Sequence, residues 1–344
     1  MLKSKELVEI REHLEKAQNP LFLFDNDADG LCSAAILMRC LDRGKAVPIK
    51  SFPSLNQQYL RRVEEMNPDY IFILDKPQAS NDFIQAVAEK NIPIVWIDHH
   101  DVPVSKEIRE KVFYYNSSPT SEPVTFLCHS VFEREQDEWL AIIGCIADVY
   151  TPDFAKKFEK TFPELFNSKL DAFDALHKTE IGKLAMMFNL GLKDTTTNVV
   201  KLIRLLTASN SPYDLLEENK KTRQIHKRYA ALVSLIEKTV KKAKEEENYI
   251  LLEYSGQMSV SSEIASKLYF QNRHKDKMIF VCFRNETQGV INISIRGKGA
   301  RKITGEIVRE IGGASGGGHE EACGMRIPLS EFDKFKGLVG ALLR

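Results

Sequence analysis

The chain has 344 residues, enough for two domains with cores of their own. Its 43% apolar and 28% charged residues are those of a globular protein, and 48 Lys+Arg against 48 Asp+Glu leave no global basic field of the kind duplex-DNA binders carry. No apolar run approaches the roughly 18 residues a membrane helix needs, so no membrane partner is expected.

The opening "MLKSKELVEIREHLEKAQ" reads as an amphipathic helix rather than a signal peptide, because it lacks a continuous apolar stretch. Short apolar runs then recur at 21–24 (LFLF), 46–49 (AVPI), 70–74 (YIFIL), 92–97 (IPIVWI) and 112–115 (VFYY). Helix-period segments separate the first four, a pattern that predicts a doubly wound parallel sheet. Residues 151–247 are helical in pattern and end in a charged run, "KTVKKAKEEEN", expected to be a solvated helix joining two domains. Beyond it, 249–254, 278–284, 290–296 and 323–329 read as strands, with helices at about 260–270, 302–311 and 330–343. The expected organisation is α/β throughout: a parallel-sheet domain (1–150), a helical connector (151–247) and a smaller α/β domain (248–344). Cys32, Cys40, Cys128, Cys145, Cys282 and Cys323 are scattered without a C-x-x-C pair, mostly inside apolar runs, which predicts a reducing, cytoplasmic setting.

In parallel sheets ligands collect beyond the C-terminal strand ends, and the acids of this chain stand there. "FLFDNDADG" puts Asp25, Asp27 and Asp29 after the first strand, just before Gly30 opens a helix. One aspartate is explained as a helix N-cap; three are not. Asp75 follows the third strand, and taken alone reads as a turn residue. "DHHD" brings Asp98, His99 and His100 to the end of the fourth, and Asp148 closes the apolar "AIIGCIAD". Carboxylates with one or two imidazoles and no thiolate suit Mn²⁺, or Mg²⁺, better than structural zinc. These ligands exceed what one cation needs; two cations sharing a carboxylate would offset the repulsion and generate a nucleophile near neutral pH.

The other unusual segment is "IGGASGGGHEEACG" (311–324), read as a glycine loop running into His319. Such loops are usually only turns, but successive backbone N–H groups at Gly316, Gly317 and Gly318 can approach an anion closely. Alternation in "VINISIR" places Arg296 on the face opposite the isoleucines, where it could fork onto a phosphate.

"DNDADG", a strand-end Asp, "DHH", "GCIAD" and a terminal "GGGH" occur in that order. Together they resemble the DHH phosphoesterase family, in its RecJ-like and archaeal single-strand nuclease branch with a DHH-associated C-terminal domain. The likeness covers about residues 18–150 and 249–344. It implies two Mn²⁺ ions (Mg²⁺ being admitted), with Asp27 on one, Asp29 on the other and Asp75 between. His99 and Asp148 complete the second set, and Asp25 joins the first. It further implies His100 on the scissile phosphate or attacking water, Asp98 orienting a histidine, and Arg296, Gly316 to Gly318 and His319 on substrate. Lys76-Pro77 departs from the small residue relatives often carry after the bridging aspartate.

The function expected is a metal-dependent exonuclease on single-stranded DNA or RNA. The alternative is a phosphodiesterase or phosphatase on short oligonucleotides, nucleotides or cyclic dinucleotides. A replication or repair scaffold ranks below both, since every ligand position is filled. Replication or repair proteins and a second copy of the chain are admitted as further partners.

Overall fold

In the computed structural model, which describes residues 1–51, 53–120 and 122–343, the first alternation of apolar runs and helical segments forms a parallel sheet. Helix α1 (Ser4–Lys16) precedes β1 (Pro20–Asp25), α2 (Ala28–Leu41), β2 (Lys45–Ile49), α3 (Leu60–Met66) and β3 (Tyr70–Leu74). Then come α4 (Asn81–Ala88), β4 (Ile94–Asp98), α5 (Lys106–Arg109) and β5 (Phe113–Asn116). Among the described residues the sheet order is β2-β1-β3-β4-β5. The two-residue period of a strand sorts the side chains. Leu21, Leu23, Ile71, Ile73, Ile94 and Trp96 meet Val63 of α3 and Phe83 of α4 on one face. Phe22, Phe24, Phe72, Leu74, Val95 and Ile97 share the other with α2. With both faces covered, the strands read as unbroken apolar runs.

Helix α2 is buried from Ala28 to Leu37, so it needs partners all round. They are the sheet on one side and α6 (Val124–Phe132), α7 (Glu138–Ala147) and later helices on the other. Helices α8 (Ala155–Thr161), α9 (Ala172–Lys178), α10 (Glu180–Leu192), α11 (Thr196–Ala208) and α12 (Tyr213–Leu216) fill the stretch expected as a connector. Phe158, Leu184, Phe188 and Leu202 from them lie in the same core as α2.

The chain divides into two compact units, Met1–Tyr229 and Ala230–Arg344, with the boundary inside α13 (Arg223–Val240). The charged run beyond it corrects the expectation of a continuous solvated helix. The helix ends at Val240, and Lys244–Glu245 (β6) pairs antiparallel with β7 (Tyr249–Ser255). Short, charged segments are what sheet edges tolerate. The second unit continues with α14 (Ser261–Asn272), β8 (Met278–Asn285), β9 (Val290–Arg296) and α15 (Ala300–Glu310). It closes with β10 (Ser315–Gly318), β11 (Ala322–Pro328) and α16 (Phe332–Leu342). Its described strands run β10-β11-β9-β8-β7-β6, parallel only between β7 and β8, over a core of Phe280, Ile293, Ile295, Ile307 and Phe335.

The glycine segment is a second correction, for Ser315–Gly318 is an edge strand and not a loop. A Cβ on Gly316 would sit 2.8 Å from the Gly324 carbonyl oxygen, and one on Gly318 (φ +145°) 2.4 Å from that of Ala322. Close approach to β11 therefore requires glycine at both positions. Among the described residues no helix is long and apolar enough to cross a membrane.

The turn from β1 into α2 is as tight: a Cβ on Gly30 would lie 2.5 Å from the Asp25 carbonyl oxygen. Gly30→Ala is expected to cost roughly 1–3 kcal/mol in urea unfolding. An unchanged midpoint would show that the turn relaxes freely.

Candidate metal centre

From β1 the chain crosses to β2 on one side and returns to β3 on the other, which opens a crevice at the C-terminal ends of β1 and β3. Asp25 ends β1, Asp75 follows β3, and Asp98 ends β4 with His99 and His100 next. Asp148 follows α7 and Asp27 precedes α2. Topology alone thus carries residues from four separate stretches toward one edge.

Asp29, His99 and Asp148 each offer a ligand atom within 4.8 Å of the others, a group able to hold a metal ion. His99 Nδ1 is 3.7 Å from Asp148 Oδ2, and His99 Nε2 is 3.2 Å from Asp75 Oδ1. Asp75 Oδ1 is nevertheless buried with no hydrogen-bond donor in position, as an oxygen reserved for a cation would be. Asp75, Asp98 and His100 form a second such group, but its geometry is that of a hydrogen-bonded relay. His100 Nδ1 lies 2.8 Å from Asp98 Oδ1, and Asn116 Nδ2 donates to the His100 carbonyl oxygen at 3.0 Å.

Local backbone structure secures each acid. Asp27 does cap α2, accepting from the Gly30 N–H at 3.0 Å. Asp29 accepts from the Val124 and Thr125 N–H groups at 2.9 and 2.7 Å, so it also caps α6. Asp75 and Val149, beside Asp148, have φ of +59° and +57°. Non-glycine residues avoid this left-handed region at a cost of about 1 kcal/mol or more, and such positions concentrate at functional sites.

The electrostatics follow from crowding. Burial, then the charges of Asp25 and Asp29, push the Asp27 carboxyl up to about 7. Burial and Asp148 push Asp29 up to about 6, against the opposing pull of His99 and the Thr125 bonds. Burial and four neighbouring aspartates raise Asp75 well above the usual carboxylate range. For His100, burial favours the neutral ring, but the bond to Asp98 and the charges of Asp98, Asp148 and Asp25 outweigh it and lift the pKa to about 9. The metal-free centre is therefore short of positive charge, and its carboxylates favour the protonated form of His100.

Asp25 stands apart from the triad. Its Oδ1 pairs with Lys76 Nζ at 2.9 Å, and that lysine is 4% exposed. Neither this pair nor the Val124–Thr125 cap on Asp29 was assigned from sequence. A lysine wedged between a strand-end aspartate and a proline was the available signal for the first. The second arises between residues about 95 positions apart and has no local signature.

In the second unit Arg296 ends β9 opposite Ala322 of β11. His319 and Ala322 close the β10–β11 turn by reciprocal backbone bonds of 2.9 and 3.3 Å. Arg296, Gly318 and His319 therefore share one end of that sheet, while Gly316 and Gly317 run back along its edge.

The N-terminal domain of the DHH family matches residues 21–150, and the DHHA1 domain matches residues 246–344. No curated protein matches the sequence significantly. Among solved structures, RecJ of Thermus thermophilus in complex with Mn²⁺ superposes with a TM-score of 0.70 at 18% identity, over 99% of this chain and 55% of that one. The chain thus spans about half the length of that relative. An exonuclease RecJ bound to manganese matches at 0.64 and 19% identity, over 99% of this chain and 95% of that one. The DHH domain of a member of a ribosomal-protein family matches at 0.69 and 15% identity, over 99% and 90% respectively. At these identities the likeness is one of fold.

Because the Asp27 carboxyl rises from 3.8 to about 7 on folding, the folded state keeps a proton that the unfolded chain has released. The resulting loss of stability begins above pH 4 and is complete above pH 7. Asp27→Asn, which retains an N-cap oxygen, is expected to raise the melting temperature of the chelator-treated protein at pH 8 and to do little at pH 4. Calorimetry at both pH values checks this; an equal margin at each would contradict the crowding.

Proposed function

Because the chain belongs to the DHH family, a DHH domain followed by a DHHA1 domain, we propose that it is a metal-dependent phosphodiesterase that removes nucleotides from single-stranded DNA or RNA. The observation that carries this is the convergence of Asp29, His99 and Asp148 beside a buried Asp75 oxygen that lacks a donor.

Asp29, His99, Asp148 and Asp75 would hold one divalent ion, Mn²⁺ or Mg²⁺, and Asp27 with Asp75 would hold a second. When bound, such ions supply Lewis acidity toward a phosphoryl oxygen and lower the pKa of water. The chain's own groups do the rest. His100, oriented by its bond to Asp98, is assigned to a phosphate oxygen as proton donor. Asp98 orients the ring through Nδ1. Arg296 and His319, at one end of the second unit's sheet, are assigned to the phosphate chain. Engagement of a strand terminus there would confine the action to chain ends. Balanced overall charge supports recognition by such local groups rather than by a broad basic surface.

The deciding experiment incubates end-labelled single strands of DNA and RNA, about 20 nucleotides long, with Mn²⁺ and compares them with a dinucleotide. Stepwise shortening of the strand supports the proposal; hydrolysis of the dinucleotide alone would move the substrate to short oligonucleotides. Asp75→Ala should lower turnover more than about tenfold and reduce bound Mn²⁺, since one carboxylate serves both ion positions. Arg296→Ala and His319→Ala should raise KM about tenfold and leave metal content intact. Metal loss in either would show that the substrate groups are misassigned.

A further inference from the structure

The proposed centre leaves one cationic group unexplained. Lys76 is almost wholly buried, and desolvating an ammonium is costly unless its donors are met. They are met in a fixed geometry. Nζ donates to Asp25 Oδ1 at 2.9 Å and to the Ser51 carbonyl oxygen at 3.2 Å. The lysine's own carbonyl oxygen accepts the Trp96 indole N–H at 2.8 Å, from the neighbouring strand β4. The left-handed Asp75 directs the chain into this position, and Pro77 restricts the backbone of the residue before it, Lys76. Backbone and side chain are thus both held, so the ammonium is a placed charge and not a solvated one.

Asp25 is consequently paired with a full positive charge rather than a neutral N–H, which opposes a second cation on the same carboxylate. Among the described residues neither Asp25 nor Asp27 is in the groups able to hold a metal ion, and what sets Asp25 apart is the ammonium on its Oδ1. We infer that Lys76 is a built-in cation that withdraws Asp25 from metal ligation, leaving the ion position at Asp27 and Asp75 weak while the one at Asp29, His99 and Asp148 is tight. Two carboxylates, one of them shared, are a sparse set for a hard divalent ion, which then keeps several waters. The centre would bind one ion at rest and complete itself as substrate oxygens enter.

This inference rests on the metal-centre reading, and the test separates the two. The full chain, stripped with chelator, is titrated with Mn²⁺ by calorimetry, and pairs of ions are detected by electron paramagnetic resonance. Wild type should bind in two steps at least about tenfold apart. Lys76→Met should tighten the second step alone by about tenfold, with coupled-pair signals at lower Mn²⁺. Asp25→Asn should leave wild-type binding unchanged within about twofold yet abolish the gain when added to Lys76→Met. Two equal tight steps in wild type would overturn the inference, as would a second step weakened by Asp25→Asn. A shift of both steps together in Lys76→Met would also overturn it, being the signature of a deleted positive charge. If Lys76→Met does not fold, the Asp25→Asn comparison decides alone. Absence of saturable Mn²⁺ binding in wild type would overturn the metal centre itself, and the inference with it.

Discussion

Five carboxylates, those of Asp25, Asp27, Asp29, Asp75 and Asp148, act on one another in a setting with little water to screen them. Repulsion that would be slight in solvent grows several-fold as the effective dielectric falls. Burial first, and this repulsion after it, raise Asp27 to about 7 and Asp29 to about 6. A fold gains nothing from such an arrangement for its own sake, because apolar residues of similar volume would pack there without penalty. Part of the charge is answered locally, with Lys76 on Asp25 and the His100 ring bonded to Asp98. The rest calls for a divalent ion, and the donor set of oxygens with one or two imidazole nitrogens is of the kind that takes Mn²⁺ or Mg²⁺.

The scaffold resists this repulsion through features that serve stability and chemistry together. Asp29 terminates α6 by accepting two backbone N–H bonds, which ties a candidate ligand to a helix in the core. Asp27 ends α2 in the same way through Gly30. The helix-cap and metal-ligand readings of these aspartates are therefore not rivals, since a carboxylate has lone pairs enough for both. Gly30 lets the two elements approach closely enough for both acids to face the crevice. The left-handed turns at Asp75 and Val149 mark where backbone conformation yields to side-chain placement.

In the second unit the glycines have a structural task distinct from any ligand. Gly316 and Gly318 lie so close to β11 that a side chain would strike its backbone, whereas Gly317 has open space about its Cβ position. An edge strand also leaves one row of N–H groups unpaired, which a flexible loop would not hold in line. The glycine segment is thus a firm edge near Arg296 and His319.

Much of this was legible in the sequence because it is governed by local periodicity. Apolar runs of strand length, separated by helical segments, determined the parallel sheet. Their acidic ends located the crevice, since ligands gather at C-terminal strand ends whatever the detailed packing. Three-dimensional proximity was not local, and it decided the rest. The pairing of Lys76 with Asp25 spans 51 residues, and the capping of α6 by Asp29 spans about 95. The edge strands at Lys244–Glu245 and Ser315–Gly318 exist because a neighbouring strand supplies their hydrogen bonds, which no propensity of charged or glycine residues anticipates. Sequence alone determined which chemical groups were present and at which end of the sheet they would lie. Tertiary structure decided which of them converge on one another and which are already bound to other groups.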